Sequence, residues 1–301
     1  MQTTSKLTKN QIWLLAARPK TLPAAAASAI LGSAMAFHNG QFQLLPALAA
    51  LFISLLLQIG ANLANDLFDF QRGADAGERL GPMRVTQAGL LSPQEVKFGL
   101  VLVFGSAVLL GIYLTYLAGW VALLIGLSAF LAALSYTGGP FPFGYHSLGD
   151  VFVFIFFGPV AVGGTYFVQA HGISLPVLVV GCTMGFLINN ILIVNNLRDI
   201  HSDQKSQKMT LAVRLGEKGS LIEYWICLIG AYLIPLILFF LSKNLIGCLF
   251  SWLSIPLAIR LAKELSRQKG RSLNQTLART AQLALIYSLL FSFGVILFKA
   301  W

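Results

Sequence analysis

The stretch QFQLLPALAALFISLLLQIGANLANDLFDFQRGAD, residues 41–75, decides the fold. Residues 42–64 form an uncharged, largely apolar run, long enough for a helix to cross a bilayer, which takes roughly 20 residues. Its end turns abruptly to Asn and Asp. The rest of the 301-residue chain follows the same rule, with 56% hydrophobic and only 11% charged residues. A soluble domain carries roughly a quarter charged residues to meet water, so the solvent for this chain is lipid. Comparable runs lie at 21–38, 97–117, 119–136, 148–170, 174–197, 221–241, 245–262 and 280–298. Together they predict an all-α integral membrane protein of nine transmembrane helices, with residues 1–301 forming a single polytopic domain.

The charges fall into a pattern on these runs. Of the 21 Lys and Arg, 19 lie in residues 6–20, 72–97, 198–218 and 260–279, leaving only Lys243 and Lys299 for the other side. Basic loops stay in the cytoplasm. The pattern therefore predicts a cytoplasmic amino terminus and an external carboxyl terminus, as an odd number of spans requires. All 11 acids share the basic side, whereas the opposite loops are short and nearly uncharged, so chemistry belongs to a cavity at the cytoplasmic face. The net charge of +10 is then a membrane signal, and a nucleic-acid partner is excluded. Cys182, Cys227 and Cys248 lie in apolar runs without a CxxC pair and read as packing residues.

Two polar constellations end two of the runs. In the first, Asn62, Asn65, Asp66 and Asp69 stand at i,i+3 and i,i+4 spacing, with Asp75 beyond; in the second, Asn195, Asp199 and Asp203 form an i,i+4,i+8 series beside Asn196. If the helices continue, each set shares a face. Four spans separate them, so both reach the same side. Carboxylate and amide oxygens without Cys or His at ligand spacing suit Mg²⁺, which shares its shell with substrate phosphates. Basic residues follow each cluster: Arg72, Arg79 and Arg84 after the first, Arg198, Lys208 and Arg214 around the second. Arg forks match phosphate oxygens, and the combination points to a diphosphate. Tyr136, Phe141, Phe143 and Tyr145 form an interfacial belt or line a pocket. Asp150 reads as a helix cap or a site residue.

The motifs NDLFD (65–69) and DIHSD (199–203), with the RPKTLP opening (18–23), resemble the UbiA-type membrane aromatic prenyltransferases over essentially the whole chain. NLANDLFDFQRGAD, GPMR (81–84), NNLRDIHSD and KMTLAVRLG look like the branch that prenylates 1,4-dihydroxy-2-naphthoate in menaquinone synthesis. The resemblance implies a UbiA-type bundle in a bacterial inner membrane. The implied donor is a polyprenyl diphosphate and the acceptor 1,4-dihydroxy-2-naphthoate, with 4-hydroxybenzoate or homogentisate as alternative acceptors. A small-solute transporter is the competing class.

It also implies roles. Asp66, Asp69, Asp199 and Asp203 would be catalytic and, with Asp75, would hold Mg²⁺. Asn62, Asn65, Arg72, Arg79, Arg84, Asn195, Asn196, Arg198, Lys208, Arg214, Tyr136 and Lys20 would bind substrate, with Arg79, Arg84 or Lys20 receiving the acceptor carboxylate. The family's third acid would fall at position 73, which is Gly here; Asp75 follows instead, as in the naphthoate branch.

Overall fold

The computed structural model describes residues 7–73, 80–241 and 243–299. Asp75 and Arg79 lie outside the described residues. A short helix α1 (Lys9–Ala17) opens the chain, with Thr8 and Gln11 forming a capping box. There follow α2 (Leu22–His38), α3 (Leu44–Gln71), α4 (Pro93–Ala118), α5 (Trp120–Ser135), α6 (Gly149–Ile155), α7 (Ala161–Ala170), α8 (Leu175–Lys205), α9 (Leu211–Leu241), α10 (Ile255–Arg267) and α11 (Leu273–Leu297). Among the described residues eight helical segments are long and apolar enough to cross a membrane, and α5 is a shorter apolar ninth of 16 residues. There is no strand among them, only an isolated bridge between His146 and Met209.

The helices outrun the apolar stretches. The run at 42–64 becomes a helix extending to Gln71, and the run at 174–197 one extending to Lys205. A helix satisfies its own backbone groups, so polar side chains at its end do not stop it. It stops where the backbone turns left-handed: Gly73 has φ +68° after α3 and Gln207 has φ +58° after α8. The run at 221–241 starts ten residues earlier, at Leu211, with a break at Gly216. The run at 245–262 divides into a 3₁₀ segment, Lys243–Ser254, and α10. The run at 280–298 starts at Leu273.

Neighbours in sequence pack round a ring that closes with α11 against α2. Lipid supplies no hydrophobic drive between helices, so association depends on close packing. The span at 148–170 contains a π-turn, Phe156–Val160, between α6 and α7. It sits hard against α8 because Gly158 faces Gly181 and Gly185. A Cβ on Gly158 would come within 2.8 Å of the Gly181 carbonyl oxygen and 2.9 Å of the Gly185 Cα. Tyr224, Tyr287 and Phe291 belong to the main buried core of α2, α8, α9 and α11. The other half of the ring, α2 to α8, encloses a cavity.

Candidate active site

The polar ends of α3 and α8 converge on a cavity of about 690 Å³. Asn62, Asn65, Asp69, Arg84, Tyr136, Asn195, Asp199, Asp203 and Lys208 line its polar end, and side chains of α2 to α7 continue it as an apolar shaft. The two constellations do meet, yet the two helices use their carboxylates differently.

On α3 the polar side chains are already engaged. Asn62 Nδ2 donates to the Ala17 carbonyl and to Thr21 Oγ1, each at 3.1 Å. Asn65 Oδ1 accepts from Thr137 Oγ1 at 2.7 Å. Asp69 accepts from the Tyr145 hydroxyl at 2.6 Å through Oδ1 and pairs with buried Arg84 through Oδ2. Arg84 also donates to the Asn65 carbonyl at 2.7 Å. Asp66 points elsewhere. It is buried but does not line the cavity; its oxygens accept the backbone N–H groups of Val85 at 2.9 Å and Thr86 at 3.3 Å. Asp66 thus anchors the loop that carries Arg84 into the site.

On α8, Arg198 spans the cluster. It donates to Asp199 at 2.9 and 2.5 Å, to Asn195 Oδ1 at 2.8 Å and to Asn274 Oδ1 of α11 at 2.8 Å. Asn274 in turn donates to the Leu80 carbonyl at 2.8 Å. Arg198 is 3% exposed and lies outside the cavity lining, so it ties α8, α11 and the 80–84 loop together. Asn196 is buried behind the lining as well. Asp203 is left open: Lys208 Nζ stands 3.9 Å from Oδ1, while Oδ2 is buried without a hydrogen-bond partner.

The loop between α5 and α6 joins the two sides. Met209 N–H donates to the Tyr145 carbonyl at 3.2 Å, and Arg72 and Lys208 both stand over the Tyr145 ring, 5.0 and 5.5 Å from its centroid. Arg72 itself donates to the Thr137 and Gly139 carbonyls at 2.5 and 2.8 Å, holding the loop rather than lining the cavity. Burial, followed by the Asp69 charge, raises the Tyr145 pKa above its ordinary value. The phenol stays a donor to Asp69. The aromatic run divides: Tyr136 lines the cavity, Phe143 stacks at 3.7 Å on the cavity-lining Phe152, and Phe141 is exposed on His146.

Several expectations change. Lys20 and Arg214 are exposed and away from the cavity, because each falls on the outer face of its turn or helix. Asp150 is no cap: Leu148 holds that position, and the Asp150 carboxyl is buried. Sequence reasoning passed over Arg18, Gln58 and Lys205, which do line the cavity. Arg18 precedes a proline and adopts a left-handed φ of +52° between α1 and the next turn. A residue before Pro is restricted away from helix, a signal that the helix breaks there.

Mg²⁺ fits this donor set. No three His, Cys, Asp or Glu side chains among the described residues are grouped to hold an ion, so the protein offers pairs of hard oxygens and substrate oxygens complete the shell. The orphaned Asp203 Oδ2 is an acceptor in want of a cation. Asp203 would hold the ion, with Asp69 and Asp199, which Arg84 and Arg198 already engage, as the neighbouring carboxylates of the same lining.

Residues 25–295 match the pattern of the UbiA prenyltransferase family. The chain belongs to that family. Among UbiA relatives, the 1,4-dihydroxy-2-naphthoate octaprenyltransferase of Escherichia coli (strain K12) is 41% identical, over 98% of each chain. The protein of that name in Bacillus subtilis (strain 168) is 30% identical, over 95% of this chain and 92% of its own. The structure of a UbiA homolog from Archaeoglobus fulgidus bound to GPP and Mg²⁺ covers 95% of this chain and 99% of its own with a TM-score of 0.65; at 18% identity that likeness concerns the fold. The helical bundle is therefore a UbiA fold and the chain an integral membrane protein.

Proposed function

We propose that this protein transfers a polyprenyl group from its diphosphate to 1,4-dihydroxy-2-naphthoate with loss of CO₂, giving demethylmenaquinone in its reduced, quinol form, in a bacterial inner membrane. The carrying observation is one cavity with cations and open carboxylate oxygens at its polar end and an apolar shaft behind them. A transporter site would sit on broken helices near the bilayer midplane; these carboxylates sit at helix ends. The basic-loop pattern supports a cytoplasmic polar end, with the amino terminus on that side and the carboxyl terminus outside.

Lys208, Lys205 and Arg84 hold the donor diphosphate, and Asp203, with Asp69 and Asp199 in the same lining, would hold Mg²⁺. Bound there, Mg²⁺ supplies positive charge for the departing diphosphate. The allylic C–O bond breaks, its electron pair leaves with the diphosphate, and the cation forms beside the faces of Tyr136, Phe152 and Phe156, all in the cavity lining. The electron-rich ring attacks through the carbon that bears the carboxylate. Loss of CO₂ then restores aromaticity, so no protein base is needed at that carbon. The water-excluding shaft protects the cation from hydrolysis.

Purified protein in lipid nanodiscs, given labelled octaprenyl diphosphate, Mg²⁺ and dihydroxynaphthoate, is expected to yield the prenylated naphthoquinol and an equivalent of CO₂, and to stop with EDTA. A panel containing 4-hydroxybenzoate and homogentisate tests the acceptor. Preferred turnover of either would overturn the naphthoate assignment.

A further inference from the structure

The shaft is long. On α3 the lining runs from Asp69 back to Ala50, which at 1.5 Å per residue is about 28 Å. On α5 it includes Tyr136 at the polar end, then Ala133, Ala129, Gly126, Ile125 and Ala122. These residues recur at three- and four-residue steps, as one helix face requires. Beside them α4, packed against α5, contributes Gly111 and Leu114. The two helices meet at Gly119, so Gly111, eight residues before it, and Gly126, seven after it, stand at matching depth. Counted from Tyr136, Gly126 lies about 15 Å down the shaft.

These two glycines are not required by helix packing. A Cβ at Gly111 or Gly126 would meet no atom within 4 Å, whereas one on Gly164 of α7, which also lines the cavity, would come within 2.9 Å of Ile125 Cγ2. Neither has a positive φ that would call for glycine. Glycine inside a helix costs about 1 kcal/mol relative to alanine. What glycine preserves at both positions is the width of the shaft.

We propose that Gly111 and Gly126 determine which prenyl donors are accepted, by keeping the shaft open at that depth to a long isoprenoid tail; this rests on the prenyl-transfer reading above. A short tail ends nearer the polar end. A tail of eight isoprene units runs past both. A side chain at either position blocks long donors and leaves short ones untouched.

The test uses the full chain in nanodiscs, with geranyl, geranylgeranyl and octaprenyl diphosphates each offered with Mg²⁺ and dihydroxynaphthoate. Gly126→Leu and Gly111→Leu are compared with the wild type and with Gly105→Leu. Gly105 is equally unhindered but lies outside the cavity lining. Each shaft variant is expected to lower kcat/KM for the octaprenyl donor about tenfold or more relative to the geranyl donor, the scale on which a pocket discriminates by fit. Gly105→Leu is expected to keep the wild-type ratio. An unchanged donor ratio in both shaft variants, or an equal loss with all donors, would overturn the assignment. Absence of product from the wild type with every donor would overturn the prenyl-transfer reading itself, and this inference with it.

Discussion

The Asn/Asp cluster on α3 and the one on α8 look alike in sequence and differ in state. On α3 the protein consumes its own acceptors: Asp66 holds the backbone of Val85 and Thr86, and Asp69 holds Arg84 and Tyr145. On α8, Arg198 saturates Asp199, but Asp203 keeps a buried oxygen without a partner. A buried acceptor with no donor is costly, and a fold keeps one where function uses it. The comparison teaches that equal spacing supplies equal oxygens, while the loops that return to each helix decide which stay available.

The largest expected effect is on the open side. Asp203→Ala should lower kcat/KM about a thousandfold, since each tenfold corresponds to 1.36 kcal/mol and loss of a metal contact removes several kcal/mol. Its Mg²⁺ requirement should rise while thermal stability changes little. Activity above a tenth of wild type would break the contrast. Next comes Arg84→Ala, which strands Asp69 as a buried charge and should destabilise the fold by about 3–5 kcal/mol. Unfolding in detergent measures this, and adding Asp69→Asn to the variant should recover part of the loss.

Asp66→Ala sharpens the comparison further. Two backbone donors lose their acceptor, so stability should drop by about 1–3 kcal/mol and kcat should fall, with the Mg²⁺ concentration dependence unchanged. A Mg²⁺ shift as large as that of Asp203→Ala would place Asp66 among the metal ligands and erase the difference between the clusters. The smallest effect is expected from Lys20→Ala and Arg214→Ala. Both residues are exposed and away from the cavity, and surface changes of this kind stay within about 0.5 kcal/mol, about twofold in rate.

Much of this was legible in residues 41–75 and 174–208. The apolar runs announced the helices, and the i,i+4 series announced that Asn65 and Asp69, and Asn195, Asp199 and Asp203, share a face. The start of α4 was not legible: a capping box of Ser92 and Glu95 carries the helix back to Pro93, four residues ahead of the apolar run. Helical period says which residues point together; it does not say toward what. Asp66 lies three residues from Asp69, close enough on the wheel to be grouped with it, yet the small rotation between them turns it from the cavity to the 85–86 backbone. Arg18 was hidden for another reason: it lines the cavity from the break between α1 and α2, where its backbone is left-handed. The π-turn at Phe156–Val160 depends on a glycine-lined seat on α8, two elements that no local window contains together.

The sequence by itself determined that this chain lives in lipid and that two Asn/Asp clusters, each accompanied by basic residues, close two of its apolar runs. These follow from solvation, because a bilayer core admits apolar side chains and rejects charge. The tertiary structure decided which carboxylate stays open, which arginine holds a loop rather than a ligand, and how far the shaft runs behind the site. Those depend on orientation, and each side chain's orientation is fixed by the elements packed against it.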